Sequence, residues 1–81
     1  MRLTIRLFAM LREAQGADHV VLDLNEGDSI GAVREAIART YPALAPHLPS
    51  ARVSASLRFV TDAYVPSAGE ELALIPPVSG G

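Results

Sequence analysis

NEGDSIGAVREAIARTYP, residues 25–42, is the stretch that decides the fold. Ile30, Val33, Ile37 and Tyr41 recur at helical spacing and form one apolar stripe. Ser29, or Asp28 before it, can cap the first turn, and Pro42 has no N–H with which to extend the last. Gly31 and Thr40 lower the propensity, and no Glu or Gln stands three residues after Ser29 to complete a capping box. The helix therefore depends on what its stripe packs against.

The flanks supply strands. Upstream, HVVLDL (residues 19–24) alternates, with Val20, Leu22 and Leu24 opposite His19, Val21 and Asp23. RLTIRL (residues 2–7) places Leu3, Ile5 and Leu7 opposite Arg2, Thr4 and Arg6. Phe8 breaks that phase and falls off the core face. The helix-forming AMLREAQ follows and stops at Gly16. So short a link predicts antiparallel neighbours.

Downstream, ALAPHLPSA (residues 43–51) carries two prolines and reads as a loop, and TDAYVPSAGE (residues 61–70) is irregular. RVSASLRFV (residues 52–60) alternates throughout, so periodicity alone gives one long strand. ELALI (residues 71–75) is apolar at four of five positions, as in a strand flanked by others. Strand, strand, helix, strand, irregular segment, strand is satisfied when the first and last strands pair in parallel at the sheet centre. That is an α+β, ubiquitin-like β-grasp: a mixed sheet with one main helix on one face, spanning residues 1–75.

Composition excludes several functions. With 81 residues there is room for one core, and 49% apolar residues make it a folded one. The absence of cysteine removes disulfide, thiolate and Cys-ligated metal chemistry together. The net charge is −2 and all seven basic residues are dispersed arginines, a poor footprint for nucleic acid. No secretory signal or membrane-length apolar run is present, so a cytoplasmic protein without a membrane partner is expected.

Side-chain catalysis finds little support. His19 and His47 read as surface residues with no nucleophile motif around them. Asp18 and His19, adjacent and expected to point apart on a strand, offer no metal site with Asp23. Glu70 and Glu71 are neighbours rather than a facing pair, and no phosphate loop exists. No bound cofactor and no metal is expected.

What remains is PPVSGG, residues 76–81. Pro76 and Pro77 cannot donate to a ladder, so they end the last strand and send the chain out extended. Val78, Ser79, Gly80 and Gly81 then reach about 13 Å at most, and glycines enter a tunnel too narrow for side chains. A terminal carboxylate is an anion at neutral pH and a poor electrophile. Adenylation by ATP would activate it, and a sulfur nucleophile displacing AMP would leave a thiocarboxylate on Gly81.

LFAMLREAQG (residues 7–16) and GEELALIPPVSGG (residues 69–81) carry a resemblance to the small, sulfur-carrying subunit of molybdopterin synthase, across essentially the whole chain. The resemblance implies the β-grasp fold and a non-catalytic, sulfur-donating member of a heterotetramer. It implies a ubiquitin-activator-like adenylating enzyme that consumes ATP, a sulfur donor, and a large synthase subunit where sulfur passes to cyclic pyranopterin monophosphate in molybdenum cofactor synthesis, two carriers per product. By position, Gly81 bears the sulfur and Gly80 is its slender neighbour. Phe8, Phe59 and Ile75 match the apolar contacts with the large subunit, and Pro76, Pro77, Val78 and Ser79 lie in the inserted tail.

Two positions depart from the family. Ser56-Leu57-Arg58 stands where an Asn-led hairpin turn is common, and Glu70 replaces Asp after Gly69. The resemblance thus implies a turn within residues 56–58, against the long strand that periodicity gives, and a turn there makes Phe59 the start of a short strand. Related β-grasp carriers serve thiamine thiazole synthesis or tRNA thiolation, or are joined to lysines of targets. A plain interaction domain with a frayed end is the remaining alternative.

Overall fold

The computed structural model describes residues 1–77. Strands β1 (Arg2–Leu7), β2 (His19–Asp23), β3 (Arg52–Ala55), β4 (Arg58–Val60) and β5 (Leu72–Ile75) form one sheet in the order β2-β1-β5-β3-β4. Helix α1 (Ala9–Gln15) links β1 to β2, and α2 (Ile30–Thr40) leads from β2 into a 3₁₀ helix at Ala45–Ser50. β1 and β5 are parallel and central, with Ile5 opposite Leu72 and Leu7 opposite Leu74. All other pairings are antiparallel.

Alternation in β1 sets which face is dry. Leu3, Ile5 and Leu7 are at most 2% exposed, whereas Arg2, Thr4 and Arg6 are open. Opposite them Leu72 and Leu74 are fully buried, and Ile30, Val33 and Ile37 of α2 close the core from the helix side. Each such side chain contributes about 1.5–3 kcal/mol, which is how packing offsets the weak propensity of α2.

The free N–H groups at the start of α2 are all used. The Ser29 hydroxyl accepts from Ala32 at 3.3 Å, while Ile30 and Gly31 donate to the carbonyls of Tyr64 and Asp62 at 2.8 and 2.9 Å. The irregular segment after β4 is thereby tied to the helix. At the end of α1, Gly16 takes φ 75° and donates to Arg12, a left-handed stop that favours glycine.

Three expectations need correction. Residues 43–51 are not a loop: Ala45–Ser50 is a 3₁₀ helix with Pro46 in its first turn, where a missing N–H costs nothing. Leu44 and Leu48, four apart, are both buried beneath it. Residues 52–60 are not one strand, because Ser56 and Leu57 take φ 51° and 68° and reverse the chain in a two-residue turn. The hairpin implied by the resemblance is present, with Ser-Leu at positions that favour Asn-Gly. Finally, Asp18 and His19 do not point apart. β2 begins at His19, so strand alternation does not reach Asp18, and its carboxylate meets His19 Nδ1 at 2.8 Å.

Candidate functional site

The face of the sheet opposite α2 divides in two. Towards β2 it is a charged ladder, where Arg2 meets Asp23 at 3.2 Å and Arg6 meets Glu71 at 3.6 Å. Towards β4 it is apolar. Register places Ile75 across from Arg52, Ala73 across from Ser54, and Ser54 across from Phe59, so one face carries Ala73, Ile75 and Phe59. Ser54, Leu57, Phe59 and Ile75 line a shallow groove of about 220 Å³.

Of the contact residues that the sequence marked, Phe59 and Ile75 are brought together in this groove. Phe59 is 53% exposed and Ile75 half-buried. Phe8 is 40% exposed and lies one residue beyond the Leu7–Leu74 pair, beside the start of the exit path that Ile75 takes. Its ring lies 5.8 Å from the Arg6 guanidinium carbon. Large apolar side chains held in water on one end of one face are the signature of a surface meant to be covered.

Leu57 and Arg52 belong to the site and were not marked in advance. Leu57, at the hairpin tip, is 89% exposed. An apolar residue at a turn position that favours Gly or Asn was the available signal. Arg52 lays its guanidinium over the Phe59 ring at 3.7 Å, a cation–π contact that only cross-strand register reveals.

The hairpin tip is pinned from behind. Ser56 donates its N–H to the Glu71 carbonyl at 3.0 Å and its hydroxyl to Glu70 at 2.8 Å. Glu70 also accepts from the Ser67 N–H at 2.9 Å and from the Tyr64 hydroxyl at 2.7 Å. These donors, the Ser67 N–H foremost, hold the Glu70 carboxyl below its ordinary value, and the hydrogen bond that Tyr64 donates to Glu70 raises the Tyr64 hydroxyl.

The ladder ends at Ile75, as Pro76 and Pro77 require. Pro76 is half-buried and Pro77 exposed, so the chain leaves the body beside the groove. Val78, Ser79, Gly80 and Gly81 lie outside the described residues, and so does any geometry at the terminal carboxylate.

A groove of about 340 Å³ lies over the charged half, lined by Arg2, Arg6, Glu70 and Glu71, and larger ones elsewhere hold none of Ser54, Leu57, Phe59 and Ile75. One of about 430 Å³ runs between β2 and α2, and one of about 420 Å³ lies between α2 and the 3₁₀ helix. Among the described residues no three His, Asp or Glu side chains gather as metal ligands, and no helix is long and apolar enough to cross a membrane. The geometry is that of an uncovered apolar groove beside the end of the last strand.

Residues 5–81 match the model of the ThiS family. A curated relative in Dictyostelium discoideum, a molybdopterin synthase sulfur carrier subunit, is 33% identical over 95% of this chain and 93% of its own length. One of the same name in Arabidopsis thaliana is 26% identical over 100% of this chain and 84% of its own. Among solved structures, the small archaeal modifier SAMP1 from Haloferax volcanii superposes with a TM-score of 0.89 at 29% identity, with full coverage of both chains.

Proposed function

The chain belongs to the ThiS family, and from that premise we propose that it is the sulfur carrier subunit of a molybdopterin synthase. The observation that carries the reading is the joining of an uncovered apolar face to the root of a Pro-Pro-led tail. Ile75 lines the groove with Phe59 and Leu57, and it is the last residue of β5 before Pro76. Binding this face to a large subunit would aim residues 76–81 at that subunit's active site.

In this reading the reactive group is the Gly81 carboxylate. Its oxygen attacks the α-phosphate of ATP on an adenylating enzyme related to ubiquitin activators, and pyrophosphate leaves. A sulfide-level sulfur from a donor then attacks the carbonyl carbon, AMP leaves, and a thiocarboxylate remains. The large subunit supplies the catalytic side chains for transfer to cyclic pyranopterin monophosphate, within a cytoplasmic heterotetramer. The carrier is no enzyme by itself and holds no cofactor.

Incubation with ATP, an activating enzyme and a sulfur source is expected to exchange one oxygen for sulfur at Gly81, read by intact mass. Exchange that persists after deletion of Gly81 would overturn the proposal. The likeness to SAMP1 favours a second reading, in which the activated terminus is joined to lysines of target proteins. Isopeptide-linked adducts would separate it from sulfur delivery. Chains built through the carrier's own lysines are impossible, since it has none.

A further inference from the structure

Arg52 is the one charged side chain in the apolar half of the docking face. Elsewhere on this face the arginines are matched, Arg2 with Asp23 and Arg6 with Glu71. Among the described residues Arg52 has no carboxylate within ion-pair distance, and its guanidinium carbon lies over the Phe59 ring, 3.7 Å from the centroid. That stacking leaves the edge N–H groups without an acceptor among the described residues.

A partner that covers Phe59 must also cover the guanidinium resting on it. A cation removed from water without a counter-charge is strongly destabilising. Carbonyl acceptors would bond to the N–H groups but leave the charge in place. A carboxylate does both, and the planar guanidinium presents paired N–H donors that fit it in bidentate fashion. Resting on the sulfur-carrier reading above, we propose that the large-subunit surface covering Phe59 and Ile75 presents a carboxylate to Arg52, so that Arg52 is a specificity determinant for the partner. The partner surface is thus an apolar seat with an acidic side chain at its Arg52 end.

The test is calorimetric titration of full-length carrier with the large synthase subunit, comparing wild type with Arg52→Gln, Arg52→Glu, Arg52→Lys and Phe59→Ala, each first shown to be folded by circular dichroism. Arg52→Gln is expected to weaken binding by about 30-fold. Arg52→Glu should weaken it by roughly a further tenfold through like-charge repulsion, and Arg52→Lys should recover part of the Gln loss. The difference between the Glu and Gln variants should shrink between roughly 50 and 200 mM salt, over which the screening length halves.

Equal affinities for the Glu and Gln variants would overturn the proposal, because neutral acceptors would then suffice. Undiminished binding by Arg52→Glu, or by Phe59→Ala, would overturn it by placing the contact elsewhere. A wild-type carrier that fails to bind the large subunit would overturn the functional reading itself, and this inference with it.

Discussion

The hydroxyl of Tyr41 is shared between the two backbone groups of Val21: it accepts from the Val21 N–H at 3.3 Å and donates to the Val21 carbonyl at 2.7 Å. β2 is an edge of the sheet, and unpaired edge groups invite pairing with other chains. A side chain from the end of α2 therefore closes part of the edge that no strand covers. Tyr41→Phe is expected to lower stability by about 1 kcal/mol and to raise the tendency to aggregate. Urea denaturation and light scattering measure the two effects, and an unchanged midpoint would show the bonds to be unimportant.

Arg34 holds the 3₁₀ helix to α2 with all its nitrogens. Nη1 donates to Leu48 and Nη2 to Ala51 through their carbonyls, and Nε to Asp62, each at 2.8 Å. Arg34→Ala is expected to cost about 3 kcal/mol, and Arg34→Lys most of that, since an ammonium cannot reach three acceptors in one plane. Equilibrium unfolding of both variants checks the ranking. Full rescue by lysine would mean that charge alone matters.

Glu70 gives the fold an acid-sensitive clamp. Its carboxyl is held below the ordinary value of 4.5 by the Ser67 N–H, then by the Tyr64 and Ser56 hydroxyls. A group whose folded value is depressed binds fewer protons folded than unfolded. Its stabilisation is complete above the unfolded value and is lost as pH falls through the folded one. Wild-type stability should thus decline below about pH 4.5, and Glu70→Gln should decline less steeply, so that the gap between them closes in acid. Denaturation curves at stepped pH measure this. Parallel decline would contradict it.

Leu57 is expected to set stability against docking. At φ 68° a branched side chain is strained, whereas glycine is not. Leu57→Gly is expected to raise stability by about 1 kcal/mol while weakening large-subunit binding by about tenfold. Opposite signs in unfolding and titration would identify a residue kept for the partner. A loss in both would make Leu57 a structural residue.

Much of the fold was legible because its signals are periodic. Alternation marked β1 and β2, the stripe of Ile30, Val33 and Ile37 marked α2, and the out-of-phase position of Phe8 placed it in solvent, where it lies. The 3₁₀ helix was illegible because Pro46 and Pro49 read as breakers, although the Leu44 to Leu48 spacing was there to be seen. Alternation also failed across Ser56 and Leu57: the two-residue reversal pairs Ala55 with Arg58 and so shifts the phase by one, yet the outward-facing Leu57 and Phe59 continue the apolar rhythm of Val53 and Ala55 in the sequence. Within the site, Phe59 and Ile75 were read through resemblance. Arg52 was not, because stacking across a strand pair depends on register, which no single strand encodes.

The order of manufacture follows from the place of β5. Until residues 72–75 exist, the β2–β1 pair and the β3–β4 pair have no strand between them, and both inner edges stand open. Contacts between the beginning and the end of a chain form last and slowly. A chain that stops short of β5 is therefore expected to lack the closed sheet and to be open to proteolysis. A cut before β5 is thus expected to remove sheet and tail together, whereas a cut after Ile75 removes the tail and spares all five strands.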